Sequence, residues 1–78
     1  MTWEKVESSI KYVLEDTGTP RSVREKLTKT LQYIKQPLDD QTKISTILSE
    51  LDELCQDVNI PPFIRTQLYS ISGMLEQI

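Results

Sequence analysis

The stretch DTGTPRSVR, residues 16–24, decides the fold because it returns, slightly altered, as DVNIPPFIR, residues 57–65. Aspartate, proline and arginine recur in the two stretches at an offset of 41 residues, from Asp16 to Asp57. Gly18 and Asn59 face each other in this alignment, and both residue types tolerate the left-handed backbone that often ends a helix. Each stretch therefore predicts that one helix ends and that the next begins at the proline.

Apolar residues match at the same offset on both sides of these stretches. The matched pairs are Val6 with Ile47, Ile10 with Leu51, Val13 with Leu54, Leu14 with Cys55, Val23 with Ile64, Leu27 with Leu68 and Ile34 with Leu75. Within each copy these residues recur at the three- and four-residue spacing of a helix that buries one face. The sequence thus predicts one helical hairpin, present twice.

The links between the predicted helices are about three residues long, so that consecutive helices must run antiparallel. We predict an all-α protein with one domain, residues 1–78: an up-and-down four-helix bundle made of two tandem helical hairpins. The hairpins, residues 2–36 and 38–78, are expected to be related by a pseudo-two-fold axis. Thr2 is predicted to cap the first helix, and Asp39 or Asp40 the third. The proline-to-arginine pattern also looks like HEAT-type repeats, but two repeats are too few for a stable solenoid.

Composition narrows the classes of function. The chain has 78 residues, of which 27% are charged, with no histidine, one cysteine and two glycines. Histidine is the commonest general base and a common metal ligand, and a phosphate-binding loop needs clustered glycines. We therefore predict that the chain is not an enzyme and binds no metal or cofactor. We expect Cys55 to be a buried structural thiol, because no basic residue adjoins it in sequence.

The sequence shows neither the pattern of a signal peptide nor an apolar run of about 18 residues, which is the minimum for crossing a bilayer. We therefore predict a cytoplasmic protein without a membrane segment.

The repeated polar residues invite a catalytic interpretation, but a structural one is stronger. An aspartate at a helix end lies beside free N–H groups of the next helix, and an arginine follows eight residues later. We predict that these residues brace the two loops as a hairpin scaffold. The scaffold consists of Asp16, Pro20, Arg24, Asp57, Pro61 and Arg65.

Residues that differ between the copies are candidates for function. Ile60, Phe63, Met74 and Ile78 replace Thr19, Ser22, Tyr33 and Pro37, which widens the apolar arc of the fourth helix. One interpretation is that this arc packs more deeply into the bundle. The other is an exposed interface patch for a protein partner or a second copy of the chain.

Charge is divided unevenly along the chain. Residues 1–36 carry seven basic and five acidic residues, whereas residues 37–78 carry two basic and seven acidic residues. A nucleic-acid accessory role through the basic first hairpin is the alternative function, although an acidic chain is a poor candidate for binding phosphates. The basic residues concerned are Lys5, Lys11, Arg21, Arg24, Lys26, Lys29 and Lys35. A small-molecule site inside the bundle is disfavoured, because the predicted core positions hold no polar residue.

Residues 57–69 together with residues 20–24 resemble the small archaeal proteins grouped as uncharacterised protein family 0147. The resemblance covers nearly the whole chain, and its most specific part is the run from Asp57 through Asn59 and Pro61 to Arg65 and Thr66. It implies a four-helix bundle in an archaeal cytoplasm. It implies no activity and no functional residue.

Overall fold

A computed structural model describes residues 3–78, which form four helices and contain no strand. The helices are α1 (Trp3–Glu15), α2 (Arg21–Ile34), α3 (Asp40–Cys55) and α4 (Pro62–Leu75). The prediction of an all-α protein with four helices is confirmed. The predicted cap at Thr2 lies outside the described residues.

The connections between the helices span residues 16–20, 35–39 and 56–61 and are longer than the predicted three residues. The prolines explain part of the difference. Pro20 and Pro61 have an extended backbone, with ψ of 152° and 145°, and stand at the N-cap position rather than inside the helix. Helix α4 therefore begins at Pro62, where a proline costs no hydrogen bond.

The helices pack in a ring in chain order. Each contacts the helices before and after it, and α1 and α4 close the ring, so that α1 and α3 lie diagonally opposite, as do α2 and α4. The bundle measures 32 × 20 × 19 Å. This order is that of an up-and-down bundle. The pseudo-two-fold axis between the hairpins stays a prediction.

The core consists mainly of the residues that the repeat had paired. Six of the seven matched pairs have both members buried in a single cluster. The exception is the pair of Leu14 and Cys55, which are both half-buried because they follow the last inward position of their helices. The prediction of a buried Cys55 is therefore wrong, because the residue is only half-buried.

Three polar side chains are buried, contrary to the prediction that core positions would hold none: Thr19 in the first loop, Thr30 in α2 and Lys43 in α3. Thr30 is 1% exposed, and its hydroxyl donates a hydrogen bond of 2.9 Å to the carbonyl of Lys26, one turn earlier. Lys43 is 9% exposed, and its Nζ donates to the carbonyl of Ile34 at 2.6 Å. A buried polar group is tolerated when it is hydrogen-bonded, and all three donors, including the Thr19 hydroxyl, are satisfied by main-chain oxygens.

Lys43 is the centre of a junction between three helices. Its amine ties the start of α3 to the end of α2, and it lies 5.7 Å from the centroid of the Trp3 ring at the start of α1. The indole Nε1 of Trp3 in turn donates to Asp40 Oδ1 at 2.8 Å. The junction therefore connects α1 and α3 across the diagonal of the bundle.

The junction is completed by the cap of α3. Asp39 is the N-cap, and its carboxylate accepts a hydrogen bond of 2.9 Å from the backbone N–H of Thr42. Hydrogen bonds from the side chain and the backbone of Thr42 lower the pKa of Asp39 below its ordinary value. A lowered pKa means that this contribution to folding is present near neutral pH and is lost as the pH falls through the pKa of the folded state.

We predict that Lys43→Met lowers the free energy of unfolding by about 1–3 kcal/mol, because the Ile34 carbonyl loses its donor while the methionine keeps the packing of the lysine stem. Urea unfolding followed by circular dichroism measures the change. Lys29→Met, at an exposed position of α2, is the control and should change the stability by less than about 0.5 kcal/mol. Equal stability of the two variants would contradict a stabilising role for the Lys43 amine.

Candidate interaction surface

The two repeated loops have the same hydrogen-bonded turn. Asp16 Oδ1 accepts from the backbone N–H of Gly18 at 2.8 Å, and Asp57 Oδ1 accepts from that of Asn59 at 2.9 Å. No residue among 3–78 has a positive φ, so the prediction of a left-handed backbone at Gly18 and Asn59 is wrong. The chain reverses through these aspartate turns instead, because the carboxylate binds the backbone two residues on.

The repeated arginines bind main-chain carbonyls rather than aspartate side chains. Arg24 donates to the carbonyls of Leu14 at 2.8 Å, Asp16 at 2.7 Å and Thr19 at 3.2 Å. These oxygens lie at the end of α1 and in the loop after it, where a helix leaves carbonyls without partners. Asp16 and Arg24 are therefore both engaged with the backbone of their own loop.

The second loop is satisfied less completely. Arg65 donates through Nη2 to the carbonyl of Asp57 at 2.9 Å, while its buried Nε has no hydrogen-bond partner. Asp57 and Pro61 lie at the same places as Asp16 and Pro20 in the first loop. The two aspartates thus lie in separate loops, and each carboxylate stabilises the turn of its own loop.

The proposed interface patch is not a single exposed surface. Ile60 is only 3% exposed and belongs to the core, so its assignment to an exposed patch is wrong. It precedes α4 and packs onto the core cluster, as do the half-buried side chains of Met74 and Ile78. Phe63 alone of the four is largely on the surface, with 49% of it exposed.

The outer side of α4 differs in charge from the rest of the bundle. Helix α4 contains one charged residue, Arg65, whereas α1, α2 and α3 contain five each. Arg65 is half-buried and turned to the loop, which leaves the solvent-facing side without charge. We call this side the α4 outer face; it consists of Pro62, Phe63, Thr66, Tyr69, Ser70 and Gly73. A charge count for each predicted helix would have revealed this face from the sequence.

Gly73 lies at the C-terminal end of this face, in the last turn of α4, without an internal packing reason. A Cβ built at Gly73 meets nothing within 4 Å. Glycine in a helix interior is less favourable than alanine by about 1 kcal/mol. Gly73 therefore weakens α4 without making room for any other part of this molecule.

Two grooves of opposite charge run along the sides of the α4 outer face. The groove against α1 has a volume of about 350 Å³, and its lining includes Lys5 and Tyr12. The groove against α3 has a volume of about 390 Å³ and carries the carboxylates of Asp52 and Glu76. The neutral face is therefore bordered by a cation on one side and by anions on the other.

Cys55 lies in the groove against α3. Burial raises the pKa of the Cys55 thiol above its ordinary value, and this effect outweighs the opposing attraction of Arg65. Arg65 is a basic neighbour that sequence adjacency did not reveal, because it lies on the next helix. The thiol is thus kept protonated, which makes it a weak nucleophile.

Within residues 3–78, no group of three or more histidine, cysteine, aspartate or glutamate side chains could hold a metal ion. None of the four helices is long and apolar enough to cross a membrane.

We predict that Arg24→Lys destabilises the protein more than Arg65→Lys. A lysine cannot reproduce the three hydrogen bonds of the Arg24 guanidinium, so we expect a loss of about 2–4 kcal/mol at this position. Arg65 makes one such bond, and its replacement should cost about 1 kcal/mol. Urea unfolding of the two variants tests the order, and an equal loss would show that the extra bonds of Arg24 contribute nothing.

We also predict that Gly73→Ala raises the free energy of unfolding by about 0.5–1 kcal/mol, since alanine is the better helix former and its Cβ has free space. Thermal unfolding at low micromolar protein concentration measures this gain. A loss of stability in the isolated chain would mean that Gly73 is needed inside the molecule.

Comparison with known proteins agrees with this architecture. The chain matches the family described as "Uncharacterised protein family (UPF0147)" over residues 2–78. A protein of this family from Methanothermobacter thermautotrophicus is 33% identical over 78 residues, covering 99% of this chain and 76% of the relative. Another, from Aeropyrum pernix, is 30% identical over 67 residues, covering 85% of this chain and 74% of the relative.

Two crystal structures have the same fold. One is a protein of this family from Thermoplasma acidophilum, with a TM-score of 0.88 and 29% identity, covering 96% of this chain and 89% of that one. The other, the protein of unknown function MMP1188, has a TM-score of 0.86 and 26% identity, covering 96% and 86%. The chain therefore belongs to the archaeal protein family UPF0147, and the resemblance found in the sequence is confirmed.

Proposed function

We propose that this chain is a non-enzymatic module of the archaeal cytoplasm that binds another protein through the α4 outer face. The observation that carries the proposal is the absence of charge from the solvent-facing side of α4, on a bundle whose other helices each contain five charged residues. The buried centre of a protein interface is depleted in charged residues and enriched in aromatic ones.

The side chains of this face suit burial by a partner. Phe63 and Tyr69 are 49% and 59% exposed and offer large apolar surfaces. The hydroxyl of Thr66 already donates to the carbonyl of Pro62 at 3.1 Å, so that its burial would leave no unpaired donor. The burial of Thr66 therefore costs little, and the gain from removing this face from water comes from the two aromatic rings.

The absence of an enzymatic role is part of the proposal and is supported by the state of the polar side chains. Asp16, Asp57, Arg24 and Arg65 bind the main chain of their loops. Burial raises the pKa of the Cys55 thiol and disfavours its reactive form. The aspartate and arginine side chains are thus used in hydrogen bonds that stabilise the fold, and the cysteine thiol is a weak nucleophile.

A nucleic-acid accessory role is supported less well. Arg24 of the basic first hairpin is committed to its loop. Arg21 Nε lies 3.1 Å from Glu25, and Lys26 Nζ lies 3.8 Å from Glu53. These contacts reduce the positive charge that the first hairpin presents to phosphates. We therefore propose a protein, rather than a nucleic acid, as the partner.

Chemical crosslinking in an archaeal cell tests the proposal, with a tagged chain compared to its Gly73→Glu and Gln32→Glu variants. Gln32 is the exposed α2 residue that matches Gly73 at the 41-residue offset, so it is a control for the added charge. We expect crosslinked proteins, including any second copy of the chain, with the wild type and the Gln32 variant, and their loss with the Gly73 variant.

Equal amounts of crosslinked partner protein with the wild type and both variants would contradict a binding role for this face. An RNA mobility shift at about 50 mM salt that disappears as salt is raised would support the nucleic-acid role instead.

A further inference from the structure

We infer that the partner of the α4 outer face is a second copy of this chain, bound so that the two α4 helices lie parallel about a two-fold axis. This inference rests on the proposed function, since it identifies the partner of the same face. A chain of this size buries only about 60% of its unfolded surface, and small domains often gain stability from a partner subunit.

Electrostatics favours contact between copies at α4 over contact at α2. In a two-fold dimer the same residues meet across the interface, so a face with a net charge repels itself. The α4 outer face has no charge to repel or to desolvate. On α2, by contrast, Arg21, Lys26 and Lys29 would have to be brought near their own copies.

The glycine at the C-terminal end of the face supports close contact between backbones there. Gly73 has open space where a side chain would stand, and Ser70 beside it is small and exposed. Two helices with small residues at their crossing point approach more closely, and larger side chains beside the crossing point then interdigitate. Tyr69, about one turn before Gly73, is the exposed aromatic residue in place to do so, and Phe63 extends the contact towards the start of α4.

The grooves decide between the two orientations of the dimer. If the two-fold axis runs along α4, the α1 side of each copy faces the α3 side of the other, and Lys5 faces the carboxylate-bearing groove of the second copy. Lys5 and Glu76 lie at the same end of the bundle. Ser9 Oγ lies 3.4 Å from Met74 Sδ. Lys5 is one turn before Ser9 in α1, and Glu76 follows Met74 by two residues at the end of α4. If the axis crosses α4, the groove with Asp52 and Glu76 faces itself, which is unfavourable.

The available area predicts a dimer of modest affinity. One face of the bundle measures 32 by 20 Å. Contact over such a face removes about 1,200 Å² in total from the two copies, which is the lower limit for specific interfaces. We therefore expect a dissociation constant of about 1–100 µM rather than a permanent dimer.

Sedimentation equilibrium of the purified full chain, from about 5 to about 500 µM, tests the inference. The expected result is a mass that rises from 9.0 kDa towards twice that value for the wild type and for Gln32→Glu. Gly73→Glu should weaken the dimer at least about tenfold, because it buries two like charges. Since glutamate is a better helix former than glycine, this variant is expected to fold, and circular dichroism checks it.

Charge exchange tests the orientation. Lys5→Glu and Glu76→Lys should each weaken the dimer several-fold, whereas the double variant should recover the wild-type affinity, because the exchanged charges then face each other across the interface. Failure of the double variant to recover would overturn the parallel arrangement. An added salt series should weaken the wild type but not abolish its association.

A strict monomer at about 500 µM would overturn the inference, as would equal dimerisation of the Gly73→Glu and Gln32→Glu variants. The proposed function would survive that result if crosslinking in cells still shows a different protein whose capture depends on Gly73. The homodimer and the proposed binding function would both be contradicted if neither self-association nor crosslinking to another protein is reduced by Gly73→Glu.

Discussion

The hydrogen bonds from the Arg24 guanidinium to the end of α1 are the constraint on which the first hairpin depends. A helix end exposes carbonyls without donors, and a five-residue loop has little backbone of its own to satisfy them. Arg24 supplies three donors from the first turn of α2, so the end of one helix is fixed by the start of the next. Because the guanidinium is planar and rigid, these bonds also set the direction in which α2 returns.

The opposite end of the bundle is held by a different device. There the amine of Lys43 donates to the carbonyl of Ile34, while the indole of Trp3 donates to Asp40. The repeat does not provide this junction, since Lys43 has no lysine partner at the 41-residue offset. One end thus follows from duplication, and the other from contacts that arise only when both hairpins are present.

This difference explains how much of the structure could be predicted from the sequence. Apolar spacing predicted six buried pairs, because inward positions on a helix are set by its period. The burial of Lys43 could not be read in this way, since it depends on a long stem that reaches a carbonyl nine residues earlier in the chain. Similarly, Gly18 suggested a left-handed turn, but the Asp16 carboxylate makes a turn that needs none.

The comparison of α2 with α4 separates scaffold from surface. Their core residues Val23, Leu27 and Ile34 match Ile64, Leu68 and Leu75, and the loop arginines match as well. On the outer side, however, the α2 charges Arg21, Glu25, Lys26 and Lys29 face Pro62, Thr66, Gln67 and Ser70. A copy that keeps its core and its loop has kept what the repeat contributes to the fold. The loss of four charges from one side therefore needs a reason outside the bundle, and contact with another protein surface is a reason that favours an uncharged face.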